Sequence, residues 1–137
     1  MKYFTIKELC DSDTAKRRGI KNTPTPEIER NLAALVDNVL DPLREAWGRP
    51  IIVNSGYRCD ALNKAVGGVA TSQHRLGQAA DLDVGTRADN MKLFNLIIKL
   101  KLPFDQLLFE RGNWAVGPDW VHVSFSPRNR REIKYIG

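Results

Sequence analysis

The amino-acid sequence predicts an α+β domain in which N-terminal helices pack on a small, largely antiparallel sheet. Helix-start signals fill the first third of the chain and most strand-like runs follow, and this segregation is typical of the class. A chain of 137 residues suits one domain, residues 1–137. With 42% hydrophobic residues, that domain can bury a core without a disulfide scaffold.

Two short helices are predicted at the N-terminus. Thr5 can cap one that runs through Leu9, and Ser12 or Asp13 can cap another. Gly19 ends the second helix, because glycine readily takes the left-handed conformation found at helix C-termini.

A long amphipathic helix follows. Thr25 and Pro26 mark its start, since proline suits the first helical position, and Gly48 marks its end. Pro42 predicts a kink within it. Its apolar residues recur at 3.6-residue spacing and form a core stripe: Ile28, Leu32, Leu35, Val36, Val39, Leu43 and Trp47.

The second half of the chain carries the strands. Residues 51–54 are predicted as a buried strand, and residues 60–65 as a short helix. In a strand over residues 80–84, alternation puts Asp81 and Asp83 on one face. Thr86 opens a helix. That helix presents Phe94, Ile97, Ile98 and Lys101 on one face, and the last strands cover 106–109 and 120–125.

Charge and composition limit the partners and the location. A net charge of +5 favours an anionic partner, either nucleic acid or a cell-wall polymer, although an ordinary solvated surface fits as well. No nucleic-acid motif is present, so none is expected as a partner. No apolar run approaches the roughly 18 residues of a membrane span, so no membrane insertion is expected.

The N-terminus has no apolar signal-peptide core, so we expect synthesis in the cytoplasm, with action on a wall only after release or export by another route. Cys10 and Cys59 lack metal-like spacing and are expected to be reduced thiols, although their pairing stays open. We expect a monomer.

Both histidines of the chain lie in short segments with companion carboxylates. Asp81 follows His74, and Asp119 shortly precedes His122. Two imidazoles and one carboxylate are a common ligand set for a catalytic zinc, which leaves a fourth position for water. In the alternative interpretation, His74 is an exposed loop histidine and His122 is a core histidine whose hydrogen bonds are satisfied. That interpretation leaves the companion carboxylates unexplained. The sequence therefore favours one zinc ion held by His74, Asp81 and His122.

The carboxylates leave two choices open. Asp83 shares a face with Asp81 and is a rival ligand. Asp119 can act as the base on water only from a turn or a bulge, because residues i and i+3 of a strand face opposite ways. Gly117 and Pro118 make such a turn plausible, but Asp119 is equally explained as a turn-forming residue.

Further residues are candidates for contact with a substrate. Arg58 follows a turn after a strand, where a guanidinium can hold a carboxylate or a carbonyl oxygen; a surface arginine is the alternative. Ser72 and Gln73 precede His74 and can bind substrate backbone or orient the ligand. Trp120 either walls the cleft or belongs to the core.

These motifs, in this order, resemble the M15 family of zinc peptidases. They are Ser55-Gly56-Tyr57-Arg58, Leu62-Asn63 with Val66-Gly67-Gly68, Ser72-Gln73-His74-x-x-Gly77-x-Ala79-x-Asp81, and Asp119-x-x-His122. The resemblance covers residues 5–125. The family includes D-alanyl-D-alanine carboxypeptidases and dipeptidases, and phage endolysins that cut the L-alanyl-D-glutamate bond of peptidoglycan.

The resemblance implies a fold, a metal and an activity. The fold is the α+β zinc domain shared with the hedgehog signalling domain. One catalytic zinc is bound by His74, Asp81 and His122, with Asp119 as acid/base where many relatives have Glu. Arg58 polarises the scissile carbonyl or holds a substrate carboxylate. The implied function is hydrolysis of peptide bonds in peptidoglycan stem peptides, of carboxypeptidase or endopeptidase type.

Two other functions compete with this expectation. A catalytically silent module that binds zinc or cell wall predicts bound zinc without turnover. A nucleic-acid-binding protein, suggested by the positive charge, predicts binding that weakens steeply with salt. The intact acid/base position argues against the first, and the missing motif argues against the second.

Overall fold

The computed structural model describes residues 1–137 and has the expected α+β architecture. The helices are α1 (Ile6–Cys10), α2 (Asp13–Arg18), α3 (Pro26–Leu35), α4 (Asp41–Trp47), α5 (Asp60–Ala65) and α6 (Arg87–Lys99). The strands are β1 (Ile52–Ser55), β2 (Ala79–Asp83), β3 (Gln106–Glu110), β4 (Trp120–Ser124) and β5 (Glu132–Ile136).

The N-terminal helices begin where the sequence places their caps. The hydroxyls of Thr5, Ser12 and Thr25 accept the backbone N–H three residues on, which satisfies a donor that the first helical turn leaves free. Gly19 and Gly48 end α2 and α4 in the left-handed conformation.

The long predicted helix is interrupted ahead of Pro42. A π-helical segment, Val36–Leu40, separates α3 from α4. Proline has no N–H to donate and its ring crowds the carbonyl four residues earlier, here that of Asn38. A wider turn relieves that crowding, so the irregularity lies before the proline. The apolar stripe still faces the core, where Leu32, Leu35 and Leu43 are fully buried.

The sheet has five strands in the order β1-β2-β4-β3-β5. All neighbouring pairs are antiparallel except β3 and β5, which are parallel. The sequence-based assignment missed β5. It also predicted β1 as buried, whereas β1 is an edge strand with Ile52 58% exposed.

The two faces of the sheet differ in chemistry. Val121, Val123 and Phe109 point to the core face and are fully buried, and the ring of Phe94 from α6 packs edge-on against Phe109. Asp81 and His122 lie on the opposite face. The apolar core therefore lies on one side of the sheet, and the other side carries polar groups that can form a site.

Helix α6 ends earlier than its apolar pattern suggests. Phe94 and Ile97 are buried as expected, but Ile98 is 36% exposed. Lys101 lies beyond the helix with a left-handed φ of 54°, so it does not share the helix face predicted for it.

Neither a membrane span nor a disulfide is found. No helix combines the length and apolar character needed to cross a bilayer. Cys10 and Cys59 are free thiols, and burial together with Glu29 raises the pKa of Cys10 to about 11.

Candidate metal centre

Three buried side chains converge on the open face of the sheet. Asp81 Oδ1 lies 3.3 Å from His74 Nε2 and 3.0 Å from His122 Nδ1. One ligand atom from each residue lies within 4.8 Å of the other two. The structure thus brings together the three residues that the sequence proposes as metal ligands.

Register and a tight turn produce this convergence. Asp81 on β2 pairs directly with His122 on β4, so both side chains leave the sheet side by side. His74 lies on a 3₁₀ turn, Gln73–Leu76, that precedes β2. Gly77 closes that turn at a φ of 70°, where a Cβ would come within 2.9 Å of Ile28.

The ring of His74 is held in one orientation. Its Nδ1 is 2.7 Å from the carbonyl oxygen of Gly56, so Nδ1–H donates there and the lone pair of Nε2 is left to bind a metal ion. Gly56 approaches the backbone of α1 so closely that a Cβ would lie 2.2 Å from the carbonyl oxygen of Leu9.

Asp81 is ionised in this environment. Burial opposes the charge, but the two imidazoles more than compensate and hold the pKa of the Asp81 carboxyl well below its usual range. Asp83, the rival from the sequence, accepts from the N–H of Gly85 and the side chain of Asn90 instead. Asp81 is therefore the carboxylate that joins the histidines.

Arg58 sits beside this group with its guanidinium fixed on three sides. It donates to Ser55 Oγ at 2.9 Å, Asn63 Oδ1 at 3.1 Å and Asp81 Oδ2 at 3.4 Å. Its side chain is only 14% exposed. Gly68 packs against this pair, and a Cβ there would displace Asn63 Oδ1 or Arg58 Nη1. Arg58 is thus a preorganised cation rather than a free surface arginine.

A cleft of about 750 Å³ opens over these groups. His74, Asp81, His122 and Arg58 line it together with the other predicted contact residues, Ser72, Gln73 and Trp120. Arg128 and Arg130 add positive charge to its wall. A cleft with a few convergent polar groups is the usual form of a binding site.

The three contact residues have further bonds that define their positions. Ser72 Oγ accepts the N–H of His74 at 3.2 Å and so caps the 3₁₀ turn. Gln73 Nε2 donates to the buried carboxylate of Asp105 at 2.9 Å. The guanidinium of Arg111 lies over the ring of Trp120, 5.1 Å from its centroid.

Asp105 anchors the turn that carries His74. Besides Gln73, its carboxylate accepts from Ser126 Oγ, from the backbone N–H of Arg130 and from the guanidinium of Arg130. The Arg130 hydrogen bonds hold the pKa of Asp105 well below its usual range, although burial opposes this.

Asp119 is the predicted site residue that the structure does not bring into the cleft. It lies in a bend just before β4, as expected, but it is not among the residues that line the cleft. Its Oδ1 accepts from Arg87 Nε at 2.7 Å, at the start of the helix that packs on the core face. The alternation of β4 explains this, because Asp119 and His122 are three residues apart.

Glu110 lines the cleft instead, and the sequence reasoning missed it. Burial and the charge of Asp81 raise the pKa of the Glu110 carboxyl, while His122 and nearby arginines oppose that rise. The alternation of β3 could have identified Glu110, because Gln106, Leu108 and Glu110 are alternate residues of one strand and all face the cleft. The predicted strand stopped one residue too early, at Phe109.

Comparison with known proteins identifies the family. Residues 2–124 match the family model described as peptidase M15. The chain belongs to the peptidase M15 family. It is also similar to the zinc D-Ala-D-Ala carboxypeptidase of Streptomyces albus G, with 45% identity over 49 residues. That match spans 35% of this chain but only 19% of the relative.

The donor set of this M15 peptidase fits one zinc ion. Two imidazole nitrogens and a carboxylate oxygen within 4.8 Å of one another are hard-to-borderline donors of the kind that zinc prefers, and all three residues are buried. Three protein ligands leave one position of a tetrahedral ion free, which is the pattern of catalytic rather than structural zinc.

Proposed function

We propose that this chain is a zinc peptidase that hydrolyses peptide bonds in peptidoglycan stem peptides. The observation that carries the proposal is the buried His74–Asp81–His122 group, which lines an open cleft beside a fixed arginine. Membership of the peptidase M15 family and similarity to a zinc D-Ala-D-Ala carboxypeptidase support the peptide substrate.

In this proposal the three ligands hold the ion and Arg58 acts on the substrate. When bound, zinc supplies Lewis acidity that activates water and polarises a carbonyl. Arg58 donates from its Nη atoms either to the scissile carbonyl oxygen or to a substrate carboxylate. Because Ser55, Asn63 and Asp81 already fix the guanidinium, little entropy is lost when it engages substrate.

The charge of the cleft favours an anionic peptide. Arg58, Arg128 and Arg130 line it, against the carboxylates of Asp81 and Glu110. Zinc would add two further positive charges when bound. Stem peptides carry free carboxylates, so attraction at moderate ionic strength helps them enter.

The test is digestion of purified peptidoglycan by the zinc-loaded protein, with fragments identified by mass spectrometry. A chelator and the His74→Ala variant, which lacks one proposed ligand, are the controls. Release of free D-Ala would indicate carboxypeptidase activity, and a new D-Glu amino terminus would indicate endopeptidase activity. Stoichiometric zinc with no chelator-sensitive fragments would reject the proposal and favour the silent module.

A further inference from the structure

Peptide hydrolysis needs a proton acceptor inside the cleft, because the attacking water must lose a proton and the leaving nitrogen must gain one. The cleft is lined by two carboxylates, Asp81 and Glu110, and by two imidazoles, His74 and His122. Asp81, His74 and His122 form the proposed ligand set. Glu110 is therefore the one proton acceptor of the cleft that zinc binding leaves unused.

Glu110 stands in register with the metal group. On β3, Leu108 pairs with His122 and Glu110 pairs with Trp120. Glu110 is therefore two residues beyond the partner of His122 and on the same face of the sheet. Diagonal neighbours of this kind are about 7–8 Å apart at Cα, and a glutamate side chain spans much of that distance. The side chain of Glu110 therefore lines the same cleft as the ligand group.

The carboxylate of Glu110 is free to exchange a proton. It is half-buried, and no side chain or backbone group hydrogen-bonds to it or forms an ion pair with it. The charges that face it are Asp81, His122, Arg111 and Arg58. Desolvation and the charge of Asp81 raise the pKa of the Glu110 carboxyl, which makes its carboxylate a stronger proton acceptor than an exposed glutamate.

Asp119 is held away from the same position. Its N–H donates to the carbonyl oxygen of Glu110 at 2.9 Å, and its own carbonyl accepts from Asn90 at 2.9 Å. These backbone bonds fix the direction of its Cβ. The ion pair with Arg87 is exposed and weak, but breaking it would not turn the backbone toward the cleft.

We propose that Glu110, rather than Asp119, is the catalytic acid/base of this peptidase. The inference rests on the proposed function. The Glu110 carboxylate takes one proton from water as the water oxygen bonds to the scissile carbonyl carbon. It then gives that proton to the peptide nitrogen as the C–N bond breaks. An acid and an amine leave, and Glu110 is again a carboxylate.

The first test compares Glu110→Gln with Asp119→Asn, a matched loss of one carboxylate at the same end of the β3–β4 pair. Both variants are expected to bind one zinc per chain and to keep the wild-type melting temperature within a few degrees. Glu110→Gln should lower kcat by about 10²–10⁴-fold, the usual contribution of a general base. Asp119→Asn should keep kcat within about threefold. The reverse pattern would overturn the proposal.

A second test does not depend on turnover. Cobalt replaces zinc, and the visible spectrum is followed against pH, since it reports ionisation beside the metal. Glu110→Gln should move the acidic transition by about one pH unit or more, whereas Asp119→Asn should leave it in place. Identical profiles in all three proteins would overturn the role of Glu110. A shifted profile without any peptidoglycan cleavage would instead reject the substrate while retaining the acid/base.

Discussion

Replacing Asp105 by asparagine tests how the turn that carries His74 is held. Asp105 is completely buried and accepts hydrogen bonds from Gln73, Ser126 and Arg130. Asparagine preserves the shape but removes the charge, and its amide group presents a donor to partners that are themselves donors. The substitution therefore leaves buried groups unpaired without opening a cavity.

The size of the destabilisation depends on which hydrogen-bond partners of Asp105 can bond to water instead. The Arg130 side chain is 37% exposed, so it turns to water and its lost bonds are partly replaced. Gln73 is only 8% and Ser126 only 5% exposed, and each lost charge-assisted bond costs about 1.5 kcal/mol. The expected destabilisation is about 3 kcal/mol. For 137 residues that lowers the melting temperature by about 10 °C.

The assay is urea unfolding monitored by circular dichroism, and Asp60→Asn is the matched control. Asp60 forms an exposed ion pair with Arg75, so its loss should cost at most about 0.5 kcal/mol. The pH profile adds a check. The lowered pKa of Asp105 contributes stability that is full above the unfolded value of about 3.9 and disappears as pH falls through the folded value. A loss of unfolding free energy below about 1 kcal/mol would refute this account. So would a variant whose stability falls with acidic pH just as that of the wild type does.

Three further predictions concern the site. At a free zinc concentration 100 times the dissociation constant, removing zinc should lower the free energy of unfolding by about 2.7 kcal/mol, which calorimetry would show as a melting temperature about 9 °C lower. Arg58→Lys should keep zinc but lower kcat/KM at least about 100-fold in a fragment-release assay. The reason is that a lysine cannot make the three hydrogen bonds that fix the guanidinium and also bind substrate; near-normal kinetics would contradict this. Gly56→Ala should cost about 1–3 kcal/mol in urea unfolding, because its Cβ would meet the Leu9 carbonyl oxygen. The same variant should weaken zinc binding in a competition titration, and unaltered affinity would show that His74 is oriented by other contacts.

Much of the fold could be predicted because its signals are local. Caps such as Thr25 and stops such as Gly48 depend on a few neighbouring residues, and the α+β class is confirmed. The family is also confirmed, and the three converging side chains fit the zinc ion that was predicted. Strand β5 escaped prediction because it is an exposed edge strand, where burial imposes little alternation on the sequence.

The site was harder to predict where it depends on which way a side chain leaves a strand. Asp119 lies close to His122 in sequence, and only the register of β4 shows that it points away. Glu110 is distant in sequence and reaches the cleft through the pairing of β3 with β4. The metal ligands and the roles of Arg58, Ser72, Gln73 and Trp120 stay predictions until the variants are measured.

The pairing of β2 with β4 has a consequence for how the protein acquires its ion. Asp81 and His122 are 41 residues apart, so an unfolded chain must close a long loop before both can bind one metal. His74 and Asp81 alone offer two donors. We therefore expect zinc to bind only after the central strands have paired, so that metal occupancy would report their assembly.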